Sequence, residues 1–313
     1  IRDRLPRYTE PHQWGGRGII RRWSGAEMTS MVAGVSVDLL SVWGSSPSDL
    51  WAVGQAGAIW HRGGATWGPA ESGVAVDLHA VWGTGASDVW VVGGLGTVLR
   101  HDGRAWSRVE SGTDQDLSAI WGSGPSDLWI AGGPLLHYDG TVLEPPPGDP
   151  IEASALWGRG PEEVWATSES RVLHWDGAAW SEATAVPGCR LGAITGAGPS
   201  LVLALGEDPD RSPDTSCGAR FDGSSWVTSS SGDLALPRTS APLRAAWGTG
   251  PTDLWIADGG GTIHHLAGDS WEPSRIASVP LNGLWGSGPD DLWVVGARGA
   301  VLRRTAGDRG LPP

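Results

Sequence analysis

The chain has 313 residues, of which 40% are hydrophobic and 18% charged, and this is the composition of a folded globular protein rather than a disordered one. Its net charge of −13 repels phosphate groups, so neither nucleic acid nor a membrane surface is an expected partner. No apolar run reaches the roughly 18 residues that a membrane span requires, so no direct membrane insertion is expected.

A nine-residue phrase recurs along the chain, as "WGSGPDDLW" at Trp285–Trp293. Its copies begin at Trp43, Trp82, Trp121, Trp157, Thr195, Trp247 and Trp285. The copy at Thr195 is degenerate, and the unit that contains it is longer than the others by roughly a dozen residues. Within one unit, such as Leu78–Val109, four strand-length apolar segments alternate with turns rich in Gly, Asp and Ser.

Four short strands in a repeat of about forty residues are typical of a propeller blade. The sequence therefore predicts an all-β fold, a seven-bladed β-propeller with four-stranded antiparallel blades. We call the strands of a blade A to D, from the centre outwards. The phrase then forms the turn between strands A and B.

The two ends of the chain fit a closed ring. Gly16–Gly34 matches the C–D half of a unit, whereas the last unit stops after its strand C. We expect a single propeller domain over residues 16–313, preceded by an N-terminal extension at 1–15, with the strand around Glu27–Val32 completing the last blade. One strand-C-like segment, either Ile19–Arg22 or Val301–Arg304, is left without a place in this scheme.

The acid of the phrase occupies the same place in six copies, at Asp49, Asp88, Asp127, Glu163, Asp253 and Asp291. A catalytic group is seldom needed in every blade, so we interpret this acid as a turn-forming residue that accepts hydrogen bonds from turn amides. Its repetition marks the register of the blades rather than a chemical site. No standard catalytic string is present, so no catalytic residue is assigned.

The repeated pattern "WGSGPxDLWxVG…GTVLHxDGxxW" resembles the Trp-rich propeller repeats of secreted proteins and lipoproteins from myxobacteria and related bacteria. The turns at His101–Trp106, Trp175–Trp180 and Phe221–Trp226 are also loosely similar to the Asp-box of sialidase-type propellers, although they lack one residue between Asp and Gly. Asp-boxes are structural turns, so this resemblance implies no sialidase activity. The resemblance to the Trp-rich repeats of secreted proteins and lipoproteins implies a location outside the cytoplasm: extracellular, periplasmic or on the cell surface.

In a propeller, ligands usually bind on the face formed by the B–C and D–A loops, opposite the phrase. Two sets of residues are candidates there. The third residue before the first Trp of each phrase, called here the ring position, is variable, and its most polar members could form a site at the channel mouth: His79, Arg244 and Asn282. Just upstream lies an acidic arc that could attract a cation or a basic ligand: Asp38, Asp77, Asp116 and Glu152. Solvated channel lining and turn carboxylates are the alternative interpretations.

Histidines recur in strand C, where our alignment places His137, His174 and His264 level with arginines such as Arg100, and His61, His101 and His265 next to them. A position that accepts either His or Arg is unsuited to metal binding, because a protonated Arg cannot ligate a metal. No metal site is therefore expected in strand C.

The two cysteines belong to the fifth unit, where Cys189 begins strand A and Cys217 closes the inserted B–C loop. We predict a disulfide between them, which implies an oxidising compartment. In the same loop, Asp208, Asp210 and Asp214 could hold Ca²⁺, the sole cofactor considered, although the loop lacks the Gly and terminal Glu of an EF-hand.

Three functions remain open. The first is a non-enzymatic recognition module that binds a glycan or protein ligand through the B–C/D–A face, with Trp14, Trp60 or Trp175 available to stack on sugars. The second is a secreted hydrolase or lyase that acts on a polysaccharide or a small molecule at the channel mouth, with acid–base chemistry by His79 and the acidic arc. The third is a sensor or scaffold domain of a larger protein.

Overall fold

The computed structural model describes residues 21–23, 28–29, 35–198, 200–208, 210, 216–229, 236–237, 239, 241–268, 270–289 and 291–305. Seven sheets form seven blades, so the predicted seven-bladed β-propeller is confirmed. Within the described ranges, no helix is long and apolar enough to cross a membrane. The B–C turns of blades 1 and 7 each contain a short 3₁₀ turn, at Gln55–Gly57 and Ala297–Gly299.

The strands are numbered β1 to β29 in chain order, and the first six blades contain four each. Blade 1 is β3 Leu39–Ser46, β4 Asp49–Gly54, β5 Ile59–Gly63 and β6 Thr66–Ala70. Blade 2 is β7 Leu78–Gly85, β8 Asp88–Gly93, β9 Thr97–His101 and β10 Trp106–Val109. Blade 3 is β11 Ala119–Gly124, β12 Asp127–Ala131, β13 Leu136–Tyr138 and β14 Leu143–Glu144. Blade 4 is β15 Ala155–Gly160, β16 Glu163–Ser168, β17 Arg171–Trp175 and β18 Trp180–Ala185.

Blade 5 is β19 Arg190–Gly196, β20 Val202–Glu207, β21 Ser216–Phe221 and β22 Trp226–Thr228. Blade 6 is β23 Leu243–Gly250, β24 Asp253–Asp258, β25 Thr262–Ala267 and β26 Ser270–Arg275. In each of these six blades every strand pair is antiparallel, as predicted.

Blade 7 closes the ring with strands from both ends of the chain. It contains β27 Leu281–Gly288, β28 Asp291–Gly296 and β29 Ala300–Thr305, followed outwards by β1 Arg21–Trp23 and β2 Met28–Thr29. Closure by N-terminal strands is thus confirmed, but this sheet has five strands, and β1 runs parallel to β29. The reason is that the N-terminal segment supplies a C–D hairpin of its own, so both strand-C-like segments find a place side by side.

The core is divided among the contacts between blades, with one apolar cluster at each of the seven junctions. The second Trp of the phrase, present in six of the seven copies, is buried in one of these clusters, as with Trp90 and Trp293, both 0% exposed. The first Trp packs on the next blade: a Cβ added to Gly122 would lie 2.7 Å from the ring of Trp82. This close approach explains why Gly follows the first Trp in almost every copy of the phrase.

Candidate functional site

On the A–B face, the repeated acid is bound by side chains. In blade 2, Arg100 Nε donates to Asp88 Oδ1 at 2.8 Å, and the Thr84 hydroxyl donates to Oδ2 at 2.8 Å. In blade 3, the donors to Asp127 are His137, at 2.7 Å, and Ser123. The acid therefore joins the A–B turn to strand C, whereas turn amides were its expected donors.

Two of these acids, Asp127 and Asp253, have a lowered pKa. Burial of Asp127 disfavours its charge, but the hydrogen bonds from His137 and Ser123 outweigh burial and lower the pKa of Asp127 below its usual value. Although Ser, Asp and His meet in such units, the serine donates to the aspartate and not to the histidine. A nucleophile next to a base, which acyl transfer requires, is not formed.

The basic partner in strand C stacks on the second Trp. The ring of His265 lies 3.6 Å from that of Trp255, and Arg100 lies 4.8 Å above the ring of Trp90. The pairing corrects our alignment: His61 and His265 lie opposite the second Trp of their blades, while His264 lies opposite Ile256. The B–C connections differ in length between blades, and this shifts strand C against the repeat.

The C–D turns that resemble Asp-boxes are closed by aspartates. Asp139 Oδ1 accepts hydrogen bonds from the amides of Thr141 and Val142 and from the Thr141 hydroxyl. The Thr141 hydroxyl and these amides lower the pKa of Asp139 to about 2. Asp222 has the corresponding contacts with Ser224 and Ser225. All these turns lie on the A–B face and hold the outer strands in place.

On the opposite face, the acidic arc mostly supports turns of neighbouring blades. Carboxylate oxygens of Asp38, Asp77 and Asp116 accept hydrogen bonds, at 2.8 to 2.9 Å, from the backbone amides of Arg298, Ala56 and Leu95. These three donors have φ values of 53° to 56°, which is unusual for residues other than Gly. Glu152, the fourth member, is exposed and lies in an isolated bridge with Pro134. Three members of the arc therefore each link one blade to the B–C turn of its neighbour.

The ring-position residues line the central channel. The channel cavity has a volume of about 300 Å³, and all seven ring positions contribute to its wall: Leu40, His79, Ser118, Ser154, Gly192, Arg244 and Asn282. The structure therefore brings His79, Arg244 and Asn282 to one opening, as the sequence suggested.

Several ring residues hydrogen-bond to the next blade. His79 Nδ1 lies 2.9 Å from the Leu117 carbonyl oxygen, and Asn282 Nδ2 donates to the Leu39 carbonyl at 2.8 Å. Ser118 and Ser154 make corresponding contacts with blades 4 and 5. These polar side chains link the innermost strands of neighbouring blades. This structural role explains why several ring positions are polar, without any need for a ligand.

A second cavity, called here the mouth cavity, opens at the channel mouth beside blades 5 and 6. Its volume is about 520 Å³, within the usual range of ligand sites. Polar and charged side chains line it from four blades, 4 to 7: Ser154, Arg190, Glu207, Arg244 and Asn282. Apolar lining comes from Leu40, Leu191, Leu205, Pro242 and Leu243.

Gly192 makes this side of the mouth open. It occupies the ring position of blade 5, and a Cβ built on it would meet no atom within 4 Å. The other six blades carry a side chain at the ring position. The missing side chain therefore leaves the space that Arg244 of blade 6 faces.

Arg244 is held in place at the edge of this space. Its Nη1 donates to Asn282 Oδ1 at 3.1 Å, while Asn282 itself is anchored to blade 1 through the Leu39 carbonyl. On its other side lies the B–C turn of blade 6, where a Cβ on Gly259 would come within 3.0 Å of Arg244 Nε. Arg244 is an exposed residue, and its guanidinium has further N–H groups that can donate to a ligand.

The expected disulfide between Cys189 and Cys217 is present, with a Cα–Cα distance of 5.8 Å. Cys189 directly precedes Arg190, so the bridge fixes the blade 5 wall of the mouth cavity. Asp214, part of the suggested Ca²⁺ site, lies outside the described residues, and Asp208 Oδ1 accepts a hydrogen bond from the Asp210 amide. No group of metal-ligating side chains is found in the described part of the chain.

Sequence reasoning missed Arg190 and Glu207, which lie opposite each other in the pairing of β19 with β20. A signal was available: Arg190 stands where the first three blades carry the aspartates of the acidic arc. For the tryptophans suggested for sugar stacking, the structure shows no exposed ring among those that it describes. Trp14 lies outside the described residues, and Trp60 and Trp175 are half-buried against the inter-blade clusters.

Comparison with known proteins places the chain among seven-bladed propellers. No protein-family model matches it, and no curated protein is significantly similar to it in sequence. It is similar in structure to YCF48 bound to D1 peptide, with a TM-score of 0.68, 18% identity and coverage of 94% of this chain and 96% of that one. A second likeness is to YCF48 from Cyanidioschyzon merolae, with a TM-score of 0.70, 14% identity and coverage of 90% and 98%.

A third likeness is to the extracellular domain of the putative one component system BT4673 from B. thetaiotaomicron. Its TM-score is 0.67 at 10% identity, with coverage of 93% of this chain and 40% of that one. At these identities the similarity shows a shared fold, and function has to be argued from the mouth cavity.

Proposed function

We propose that this propeller is a non-enzymatic recognition module that binds a peptide segment of a protein partner in the mouth cavity. The observation that carries the proposal is the asymmetry of the channel mouth: Gly192 opens one side, and Arg190, Glu207 and Arg244 face the opening. The cavity volume of about 520 Å³ suits a few residues of an extended chain.

The comparisons support binding in general. One similar propeller is described as bound to a peptide, and another as the extracellular domain of a putative one component system. We favour a peptide over a glycan because Trp60 and Trp175, the described tryptophans suggested for sugar stacking, are packed into inter-blade clusters. The disulfide and the resemblance to Trp-rich secreted propellers support a location in an oxidising, extracytoplasmic compartment.

A catalytic role receives less support from the geometry. His79 makes its contact with the Leu117 carbonyl, which orients the ring but supplies no acid or nucleophile. The units of Ser, Asp and His lie on the opposite face with the serine bonded to the acid. Binding without turnover is therefore the function that we assign to the mouth.

The test is a selection of peptides from a random display library on the oxidised protein, followed by affinity measurements on two glycine variants. Gly192→Trp fills the mouth cavity, whereas Gly124→Trp places the same side chain on the A–B face. Both glycines have open space around them, and other blades carry side chains at both positions, such as Ser154 and Ser46, so both variants should fold.

We expect selected peptides to bind the wild type and Gly124→Trp equally, and Gly192→Trp at least about tenfold more weakly. The proposal fails if no peptide is enriched, or if the peptides bind Gly192→Trp as tightly as the wild type.

A further inference from the structure

The mouth cavity contains a cation that the described part of the protein leaves without a counter-ion. Neither Arg190 nor Arg244 takes part in a salt bridge among the described residues. Arg190 nevertheless has an acidic neighbour, because Glu207 lies directly opposite it on the adjacent strand. Arg244 has a neutral amide, Asn282, as its hydrogen-bond partner.

The guanidinium of Arg244 is a preorganised hydrogen-bond donor, because its orientation is restricted by neighbouring residues. Two elements restrict the guanidinium: Asn282, itself tied to the Leu39 carbonyl, and the B–C turn at Gly259. A guanidinium that is already oriented loses less conformational entropy when it binds a ligand. Asn282 accepts one hydrogen bond from Nη1, and because Arg244 lines the cavity, its other N–H groups remain for an acceptor there.

The strongest acceptor for a planar guanidinium is a planar anion, which can take two parallel hydrogen bonds. The space next to Arg244 also has apolar lining from Leu40, Pro242 and Leu243, so the group that carries the anion can be partly apolar. A peptide offers one such anion, the carboxylate, at its C-terminus or on an Asp or Glu side chain.

We infer that Arg244 binds a carboxylate of the peptide ligand, with Asn282 as the residue that positions the guanidinium. This inference rests on the proposed function. It also explains how a chain with a net charge of −13 can accept an anionic group: the recognition is local, at one arginine that forms no salt bridge with the described acidic residues.

The experiment uses three pools of random hexapeptides and measures their retention on immobilised, oxidised protein. The first pool has free C-termini and no Asp or Glu. The second has the same composition with amidated C-termini. The third is amidated and contains one Glu in each peptide. The first and third pools separate the two sources of a carboxylate.

Three variants accompany the wild type. Arg244→Gln removes the cation, and Arg104→Gln removes an exposed arginine from a C–D turn on the other face. Asn282→Ala frees the guanidinium from its support while leaving its charge. Thermal unfolding of each variant confirms that it is folded before retention is compared.

We expect the wild type and Arg104→Gln to retain the first or the third pool, and the second pool about ten to one hundred times less, as the loss of charge-assisted hydrogen bonds implies. Arg244→Gln should lose this preference. Asn282→Ala should weaken it by a smaller factor, because the charge remains.

Equal retention of the three pools, or an undiminished preference in Arg244→Gln, would overturn the carboxylate inference while leaving peptide binding intact. Retention of none of the pools by the wild type would overturn the proposed function as well.

Discussion

Reduction of the disulfide between Cys189 and Cys217 should lower the free energy of unfolding substantially. The bridge joins residues 28 apart in sequence, and for a loop of that length the chain-entropy relation gives about 3.5 kcal/mol at 25 °C. Both cysteines are buried in the cluster between blades 4 and 5. Reduced thiols keep those apolar contacts, so the effect acts mainly on the unfolded chain.

The same loss should lower the melting temperature. With an unfolding entropy of about 2.1 cal/mol/K per residue, a chain of 313 residues should melt about 5 °C lower after reduction.

Urea unfolding followed by tryptophan fluorescence measures this difference between the oxidised protein, the protein in dithiothreitol and the variant Cys189→Ala/Cys217→Ala. The variant is the control, since dithiothreitol should leave its stability unchanged. A difference below about 1 kcal/mol between oxidised and reduced wild type would refute the entropic argument, as would an equal response of the variant to dithiothreitol.

Two further predictions concern the frame of the propeller. Gly93→Ala should destabilise the protein by about 1–3 kcal/mol, because the added Cβ would lie 2.2 Å from the backbone oxygen of Asp77. Gly85→Ala is the control and should cost less, because a Cβ at Gly85 would have no atom within 4 Å. Equal effects of the two substitutions in matched urea titrations would contradict this reasoning. The second concerns Asp139, whose pKa of about 2 lies below the ordinary value of 3.8. Its carboxylate therefore stabilises the fold above pH 4, and this contribution is lost as the pH falls from 4 to 2. The difference in stability between wild type and Asp139→Ala should therefore vanish over this range, and a difference that persists at pH 2 would point to another cause.

The blade frame was predictable from sequence because it is repeated. Seven aligned copies of the phrase show which positions are constant, and a constant Trp–Gly pair reports a packing contact, as between Trp82 and Gly122. Repetition also identified the ring position as the variable element of strand A. The pairing of Cys189 with Cys217 followed from the same register, since both fall at one end of blade 5.

The partners of the repeated acid and the details of the mouth were not predictable in this way. The histidine that binds Asp253 is His265 and not His264, and only the pairing of β24 with β25 decides between them. Arg190 and Glu207 belong to a wall formed by two strands whose register is set across an insertion. The hydrogen bond from Arg244 to Asn282 joins two blades, so it depends on the packing of blade 6 against blade 7 rather than on any single repeat.

The ring position has a consequence for engineering. Leu, His, Ser, Gly, Arg and Asn all occupy it on an otherwise similar strand A, so the frame of tryptophans and glycines accepts side chains of very different size and charge at the same place. One substitution in each blade would therefore redesign the whole opening. The protein can serve as a scaffold in which seven neighbouring positions are randomised together while the folding information stays in the rest of the repeat.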